Sequence, residues 1–253
     1  MEQRVLIVSN RLPVVIDSNE SIKRSEGGGL VNGMEWFHQS NQKSVWIGSV
    51  NGSLTPVLRQ VLDDRRLKPI EIENDLYLSY YEGFCNSTLW PLCHEMLEQT
   101  VFQTEWWDTY CAVNYCFADV VLREANEADI VWIQDYHLML LPAILRHVRP
   151  NLKIAFFLHI PFPPVETFTL IPWAHGLIKG VLGADMIGFH TRGYAKHFSA
   201  TAESFDDFEV IAENPLHIRH SYGEAHLKVA PLGIDADGIA TRARTKKSEA
   251  HQR

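Results

Sequence analysis

The sequence lacks the positive surplus typical of proteins that bind nucleic acid. Its 253 residues carry a net charge of −8, and residues 240–253 hold five basic side chains and one acidic side chain, so the preceding body is more acidic still. Non-specific binding of nucleic acid needs a cationic surface. We therefore expect no nucleic-acid partner, and a phosphate on any substrate must be bound by individual side chains rather than by a general field.

Long apolar runs and secretion features are also missing. No apolar run approaches the ~20 residues of a membrane-spanning helix, and the first residues enter a short apolar strand without a cleavage-site pattern. Cys85, Cys93, Cys111 and Cys116 form no C-x-x-C pair, so we expect reduced thiols in or near a core. These absences predict a cytoplasmic protein without a membrane partner.

Several catalytic motifs are absent. The sequence contains no G-x-S-x-G elbow, H-E-x-x-H pair, EF-hand loop, Walker loop or G-x-G-x-x-G turn. The nearest pair of histidines, His217 and His220, falls in a predicted hairpin without an obvious third ligand. We therefore predict no metal and no cofactor.

What the sequence does contain is a regular alternation of strands and helices. Apolar residues make up 46% and charged residues 21%, as in folded globular proteins. Continuous apolar strands separated by helices indicate a parallel sheet covered on both faces. The predicted fold is α/β, with a Rossmann-like, mostly parallel sheet and helices on both faces. The strands are expected at residues 5–8, 45–47, 129–133, 154–158 and 184–189, and the helices at 30–39, 57–66, 104–126, 138–148, 173–182 and 192–204.

The remaining segments are less regular. We expect a polar loop up to residue 26, one or two short strands within 69–79, a hairpin over 217–229 and a last strand over 228–235. Residues 1–239 are predicted to form one domain. Residues 240–253 have no apolar periodicity and are predicted to be a polar, disordered tail.

Two features near the N-terminus could bind phosphate. Arg11 follows the first predicted strand, at the edge where doubly wound sheets bind ligands. Its guanidinium could bind a phosphate through two hydrogen bonds, or pair with a surface acid. Gly28 and Gly29 precede a predicted helix and could offer backbone N–H groups to a diphosphate. Glycine-rich turns at helix starts are common, so both alternatives stay open.

Residues 80–95 place aromatic side chains among polar and helix-breaking residues. Tyr81 and Trp90 do not fall on a regular apolar face. Aromatic faces beside hydrogen-bonding groups suit a sugar ring. The alternative is that these are loop aromatics that cover the edge of the domain.

Polar residues follow two neighbouring predicted strands. Asp135 lies at the end of the strand over 129–133, where it could accept a substrate hydroxyl or cap the next helix. His159 has the equivalent place one strand along, although a lone histidine is more often structural. Two polar residues at neighbouring strand ends indicate one shared crevice.

Five segments together resemble the N-terminal half of the trehalose-6-phosphate synthase family, glycosyltransferase family 20, which also holds glucosylglycerol-phosphate synthases. They are Ser-Asn-Arg-Leu-Pro from residue 9, Gly-Gly-Gly-Leu from residue 27, residues 84–91, Asp-Tyr-His from residue 135 and residues 157–163. Their order carries the resemblance, which runs from about residue 4 to residue 235. It implies a retaining GT-B glycosyltransferase with two Rossmann-like halves and an active site between them.

The resemblance implies a reaction and an acceptor site. Glucose would pass from UDP-glucose, a co-substrate, to glucose 6-phosphate and give trehalose 6-phosphate. The acceptor phosphate would be held by Arg11, together with Tyr81 and Trp90. Asp135 would bind acceptor hydroxyls near the reacting centre. The family retains configuration without a protein nucleophile, so one carboxylate suffices, whereas a retaining hydrolase needs two about 5 Å apart.

The resemblance also implies a donor site. Gly28 and Gly29 would face the donor diphosphate, and His159 would contact the donor glucose at the reacting centre. In family members, an Arg and a Lys of the C-terminal half bind the diphosphate, and they have no counterpart in this sequence. A missing C-terminal domain or a partner chain is therefore expected to supply them.

One departure from the family pattern leaves alternatives open. Relatives usually carry Gly-Trp-x-Gly after the second strand, whereas residues 48–52 are Gly-Ser-Val-Asn-Gly. A related synthase with another phosphorylated acceptor, such as glycerol 3-phosphate, is one alternative. A non-catalytic sugar-phosphate-binding subunit is another.

Overall fold

The structure is a computed structural model, and it describes residues 3–17, 21–25, 29–51, 53–213, 216–231, 233, 236, 240 and 241. Within these residues the strands are Val5–Arg11 (β1), Val14–Ile16 (β2), Ile22–Arg24 (β3), Ser44–Asn51 (β4), Leu67–Ile72 (β5), Ile130–Gln134 (β6), Lys153–Leu158 (β7), Met186–Phe189 (β8), Glu209–Glu213 (β9), Leu216–His220 (β10) and Gly223–Val229 (β11).

The α-helices in the same residues are Gly29–Ser40 (α1), Pro56–Asp64 (α2), Asn74–Leu78 (α3), Trp90–Cys93 (α4), Thr104–Glu124 (α5), Leu141–Val148 (α6), Val165–Phe168 (α7), Ala174–Leu182 (α8) and Arg192–Glu203 (α9). A π-helical segment covers Ser79–Leu89. Short 3-10 helices cover Leu97–Gln99 and Tyr136–Leu138.

The main sheet is mostly parallel. In the described part of the chain it has nine strands in the order β5-β4-β1-β6-β7-β8-β11-β10-β9. The first seven run parallel, and β10 is antiparallel to both of its neighbours. The predicted α/β class and the predicted hairpin over 217–229 are therefore confirmed.

Both faces of the sheet are covered, because alternate residues of a strand point to opposite sides. From β1, Leu6 and Val8 enter a large core that includes residues of α5, α6, α8 and α9. Ile7 enters a smaller core with Met34 of α1 and Leu58 of α2. Helices on both faces, as predicted, leave the carboxyl edge of the parallel strands as the surface where side chains can meet a ligand.

The structure corrects two predictions in the first third of the chain. The predicted polar loop contains a small antiparallel hairpin of β2 and β3, in which Val14 pairs with Arg24. One or two short strands were expected within residues 69–79; the end of β5, up to Ile72, confirms one strand, but helix α3 begins at Asn74 where a second was possible. Short helical and strand segments with few apolar residues have weak periodicity, so tertiary packing decides between them.

A larger correction concerns residues 80–95. The prediction of an irregular aromatic stretch is wrong, because residues 79–89 are π-helical and α4 follows directly. Tyr80, Phe84 and Leu89 are fully buried on this segment. The wider π-helical turn changes the spacing of buried positions, which hides the helix from a search for a 3.6-residue period.

The C-terminal predictions are tested only in part. The expected last strand over 228–235 is wrong after Val229, where β11 ends, and residues 232, 234 and 235 lie outside the described residues. The expected tail also lies outside them, except for Ala240 and Thr241, which are helical. The limits of the domain and of the tail stay predictions. No helix in the described part of the chain is both long and apolar enough to cross a membrane.

Gly48 lets β4 approach the end of β1. A Cβ at this position would lie 2.6 Å from the backbone carbon of Arg11 and 2.6 Å from the nitrogen of Leu12. We expect Gly48→Ala to lower the free energy of unfolding by about 1–3 kcal/mol, because backbone atoms must move to admit the methyl group. Urea denaturation of the variant and the wild type measures this loss.

Gly193→Ala is the matched control for this prediction. Its Cβ would meet only Thr191 Oγ1, at 3.7 Å, inside helix α9. Alanine there is expected to stabilise the protein by about 0.5–1 kcal/mol, because glycine is unfavourable inside a helix. Equal effects of the two substitutions would contradict the close approach at Gly48.

Candidate functional site

Buried hydrogen bonds fix the backbone at the end of β1. Trp46 Nε1 donates to Ser9 Oγ at 2.8 Å, and the Ser9 hydroxyl donates to the carbonyl oxygen of Arg11 at 2.8 Å. The Ser49 hydroxyl donates to the carbonyl oxygen of Asn10 at 2.5 Å. The register of β1 against β4 shifts just before Arg11. Such an irregularity redirects the strand and the side chains at its end.

The Arg11 side chain lies on two tyrosine rings. Arg11 Nε donates to the Tyr77 hydroxyl at 2.6 Å. Its Cζ lies 4.5 Å from the centroid of the Tyr81 ring and 5.4 Å from that of Tyr77. Among the described residues no carboxylate forms an ion pair with Arg11. The guanidinium is therefore positioned by aromatic and hydroxyl groups, with its charge uncompensated by a bonded acid.

The ring of Tyr81 stacks against two other rings. Its centroid is 5.4 Å from that of Tyr77, at an interplanar angle of 19°, and 5.7 Å from that of His137, at 9°. Burial, with the nearby Arg11 charge, lowers the pKa of His137 to about 3, so this imidazole is neutral at pH 7. Stacking holds the phenol of Tyr81 beside the guanidinium.

Two buried polar atoms beside Arg11 have no hydrogen-bond partner among the described residues. They are Asn10 Oδ1 and His137 Nδ1, on side chains that are 7% and 9% exposed. Buried polar atoms are nearly always hydrogen-bonded in folded proteins. Because both atoms are enclosed from solvent, a ligand would reach them only after a change of conformation.

Trp90 lies farther along the same helical stretch than Tyr81. It is the first residue of α4, is 36% exposed, and stacks on His94 with a centroid distance of 4.0 Å. We call Arg11, Tyr77, Tyr81 and His137 the Arg11 cluster; among the described residues the structure shows no ring or cation contact between Trp90 and this cluster. An exposed aromatic face at this place could contact a sugar ring without touching Arg11.

Asp135 follows β6 in a strained backbone conformation. Its φ of 73° and ψ of 170° lie in a region that residues with a side chain rarely adopt. Its N–H donates to the carbonyl oxygen of Phe157 at 2.7 Å, and its Oδ1 accepts from the N–H of Tyr136 at 3.0 Å and of His159 at 3.1 Å. The side chain thus caps the short helix after β6 and also joins the ends of β6 and β7.

The environment of Asp135 makes its carboxyl a weaker acid. Burial raises its pKa to about 6, against the opposing effect of the two backbone N–H donors. Oδ2 makes no hydrogen bond to a described residue. At pH 7 the carboxylate form prevails, with one oxygen available to accept a hydroxyl proton or hydrogen bond.

His159 occupies the end of the next strand. Its Nε2 lies 3.0 Å from Gln134 Oε1, so Nε2 is the protonated nitrogen, because an amide oxygen can only accept. Burial, with His190 nearby, lowers the pKa of His159 to about 4. The His159 N–H donates to Asp135 Oδ1, so the two strand ends are neighbours, while the predicted crevice between the two side chains stays a prediction.

The glycine turn is only partly described. Gly28 lies outside the described residues, and Gly29 is the first residue of α1. Their expected role at a diphosphate therefore stays a prediction.

Sequence reasoning missed Asn10, Tyr77 and His137. Tyr77 precedes Tyr81 by four residues, the spacing that places side chains on one helix face. That spacing could have been used only if residues 74–89 had been predicted as helical. His137 lies within the Asp-Tyr-His segment, but its contact with Tyr81 depends on tertiary structure.

The Arg11 cluster, together with Asp135 and His159, suits a polyol that carries one anionic group. It combines one cation, one carboxylate, neutral imidazoles and aromatic faces, all at the carboxyl edge of the sheet. In the described part of the chain no three metal-ligating side chains come together.

A scan against protein families matches residues 3–253 to glycosyltransferase family 20. A curated relative, trehalose-6-phosphate synthase of Mycobacterium avium, is 39% identical over 257 residues, which cover 94% of this chain and 51% of the relative. The enzyme of the same name from Mycolicibacterium smegmatis is 38% identical, with 95% and 50% covered. The chain thus spans about half the length of the curated relatives it matches.

Solved structures with a similar fold carry related names. An E. coli structure, described as trehalose-6-phosphate bound with UDP-2-fluoro glucose, has a TM-score of 0.80 at 25% identity, covering 99% of this chain and 54% of that one. An α,α-trehalose-phosphate synthase (UDP-forming) from Burkholderia xenovorans, in complex with glucose-6-phosphate, has a TM-score of 0.78 at 24% identity, covering 98% and 55%. The second likeness speaks for the fold alone.

Proposed function

The chain belongs to glycosyltransferase family 20, and from this premise we propose that it is the acceptor-binding half of a trehalose-6-phosphate synthase. The full reaction joins glucose from UDP-glucose to glucose 6-phosphate with retention at the donor carbon. The observation that carries the proposal is the Arg11 guanidinium, held over Tyr81 without an acidic partner among the described residues.

We propose that Arg11 binds the phosphate of the acceptor. A guanidinium offers parallel N–H donors that match a phosphate, and Arg11 is the cation that the described contacts place against Tyr77 and Tyr81. Tyr81, which stacks against Tyr77 and His137 and lies beside the guanidinium, would contact the acceptor near its phosphate. Trp90 would present its exposed face to the sugar.

Asp135 is proposed to bind an acceptor hydroxyl at the reacting centre. Its Oδ1 is occupied by two backbone donors, which fixes the direction of the carboxylate and leaves Oδ2 for the substrate. A fixed acceptor for the attacking hydroxyl lowers the entropic cost of the reaction. Transfer in this family needs no protein nucleophile, so no second carboxylate is required.

Donor contacts from this chain are proposed to be few. His159, protonated on Nε2 toward Gln134, would contact the donor glucose, and Gly28 and Gly29 would donate N–H groups to the diphosphate. The remaining donor contacts would come from a C-terminal domain or a partner chain, in line with the coverage of about half of each relative.

Fusion of this chain to the C-terminal half of the Mycobacterium avium relative tests the proposal. We expect the fusion to release UDP from UDP-glucose only when glucose 6-phosphate is present, and the Asp135→Asn fusion to be at least 100-fold slower. A coupled assay of UDP measures both rates. UDP release that does not depend on the sugar phosphate would contradict the proposed acceptor role.

A second acceptor is favoured by one observation. Residues 48–51 lie in β4 beside the end of β1, with Ser49 paired to Arg11, and the tryptophan that relatives usually carry there is absent. Without that aromatic face for a sugar ring, a phosphorylated acceptor that has no ring, such as glycerol 3-phosphate, would suit this change. The same fusion assay, run with each acceptor, separates the two candidates.

We also propose that the protein acts in the cytoplasm. All four cysteines are free thiols, and Cys85 and Cys93 are buried. Free thiols are the usual state of cysteine in a reducing compartment. Fractionation of the source cells would test this location.

A further inference from the structure

We propose that Tyr77 is a positioning residue for phosphate recognition, because its hydroxyl fixes the orientation of the Arg11 guanidinium. The inference rests on the proposed function and deepens it, since it names how the chain prepares its phosphate anchor before the acceptor binds.

The geometry divides the guanidinium into a held side and an open side. Arg11 Nε donates to the Tyr77 hydroxyl at 2.6 Å, and Arg11 Cζ lies over the Tyr81 ring. Nη1 and Nη2 make no hydrogen bond or ion pair to a described residue. These two nitrogens form one of the donor pairs that a phosphate accepts bidentately.

The Tyr77 hydroxyl is itself held in place. Asn10 Nδ2 lies 3.4 Å from it, and the backbone of Asn10 is fixed by the Ser49 hydroxyl. Its ring stacks on Tyr81 and makes an edge contact with the buried ring of Tyr80. Tyr77 thus links the end of β1 to helix α3 and the π-helical segment.

The hydroxyl matters because Arg11 is otherwise an exposed, flexible side chain. A long cationic side chain loses rotamer freedom when it binds a ligand, and that loss weakens binding. If the Nε hydrogen bond already restricts the rotamers, less freedom is lost on binding. A charge-assisted hydrogen bond of this kind corresponds to about a tenfold change in affinity.

Tyr77→Phe removes only this hydroxyl and keeps the stacked ring. Titration of the full chain with glucose 6-phosphate is expected to show about tenfold weaker binding for the variant. In the Arg11→Ala background the same substitution is expected to have no further effect, because its action passes through the guanidinium. Tyr115→Phe, at a 60% exposed position of α5, is the matched control and should bind as the wild type does.

A second measurement does not depend on a ligand. In nitrogen-15 spectra, the Nε–H of Arg11, assigned by its loss in Arg11→Lys, should exchange with water several-fold faster in Tyr77→Phe than in the wild type. If the wild type binds glucose 6-phosphate and Tyr77→Phe shows the same exchange rate or the same affinity, the inference is overturned. The proposed function then stays intact. A wild type that does not bind glucose 6-phosphate would overturn the proposed function, and with it the role of Tyr77.

Discussion

Replacing Arg11 by alanine is expected to weaken binding of glucose 6-phosphate at least 100-fold. Two charge-assisted hydrogen bonds to phosphate oxygens would be lost, each of which contributes about 1.5–3 kcal/mol. Among the described residues, no second cation contacts the Arg11 cluster, so no other group there can replace the lost hydrogen bonds. Isothermal titration at constant ionic strength measures the change, since the salt concentration screens exposed charges.

Two further variants separate charge from geometry at this position. Arg11→Lys keeps the charge but lacks the planar pair of donors, so an intermediate loss is expected. Arg123→Ala removes an exposed arginine near the C-terminal end of α5, beside the amino end of β6, and should bind as the wild type does. Unchanged binding in Arg11→Ala would contradict the assignment of the phosphate site.

Replacing Asp135 by asparagine is expected to weaken the binding of glucose 6-phosphate while the fold is kept. The amide oxygen can accept the same N–H groups of Tyr136 and His159 that Oδ1 accepts now. The negative charge at Oδ2 is lost, so binding of glucose 6-phosphate should weaken about tenfold or more at pH 7.5. The phosphate of the ligand itself titrates near pH 6. The affinity ratio of wild type to variant at each pH removes that contribution, and it should rise as the pH increases through 6.

The same substitution predicts a change of stability with a definite sign. The folded-state pKa of Asp135, about 6, lies above its unfolded value. The wild type therefore loses stability as the pH rises from the unfolded pKa through the folded pKa, and the loss is complete above about pH 6. Asparagine does not ionise, so the variant avoids a penalty on the order of 3 kcal/mol, which corresponds to the rise of the pKa from 3.8 to about 6. Thermal denaturation should show the advantage of the variant growing between about pH 4 and pH 6 and levelling off above that. A constant difference over that range would contradict the buried carboxylate.

The parts of the fold that the sequence predicts are those with strong apolar patterns. The residues of β1, β6 and β7 form continuous apolar runs, and their order with intervening helices leads to the parallel sheet that places Arg11, Asp135 and His159 at one edge. The hairpin of β2 and β3 was not predicted because its two strands are short and partly exposed. Local pattern carries little information there.

The candidate site shows the same division. Arg11, Asp135 and His159 could be named because strand ends can be found from the pattern of the strands. Tyr77 and His137 could not, because their roles depend on a π-helical turn and on ring stacking between distant segments. The positive φ of Asp135 is likewise invisible to the sequence, since aspartate gives no local sign of that conformation.

The central claim is that this chain binds the phosphorylated acceptor, and direct titration tests it best. The full chain would be titrated separately with glucose 6-phosphate, glycerol 3-phosphate and UDP-glucose in the same buffer. We predict saturable binding of glucose 6-phosphate with one site per chain, and much weaker binding of UDP-glucose, most of whose contacts we propose to lie outside this chain. Absence of glucose 6-phosphate binding by the folded chain, or tighter binding of UDP-glucose, would contradict the account.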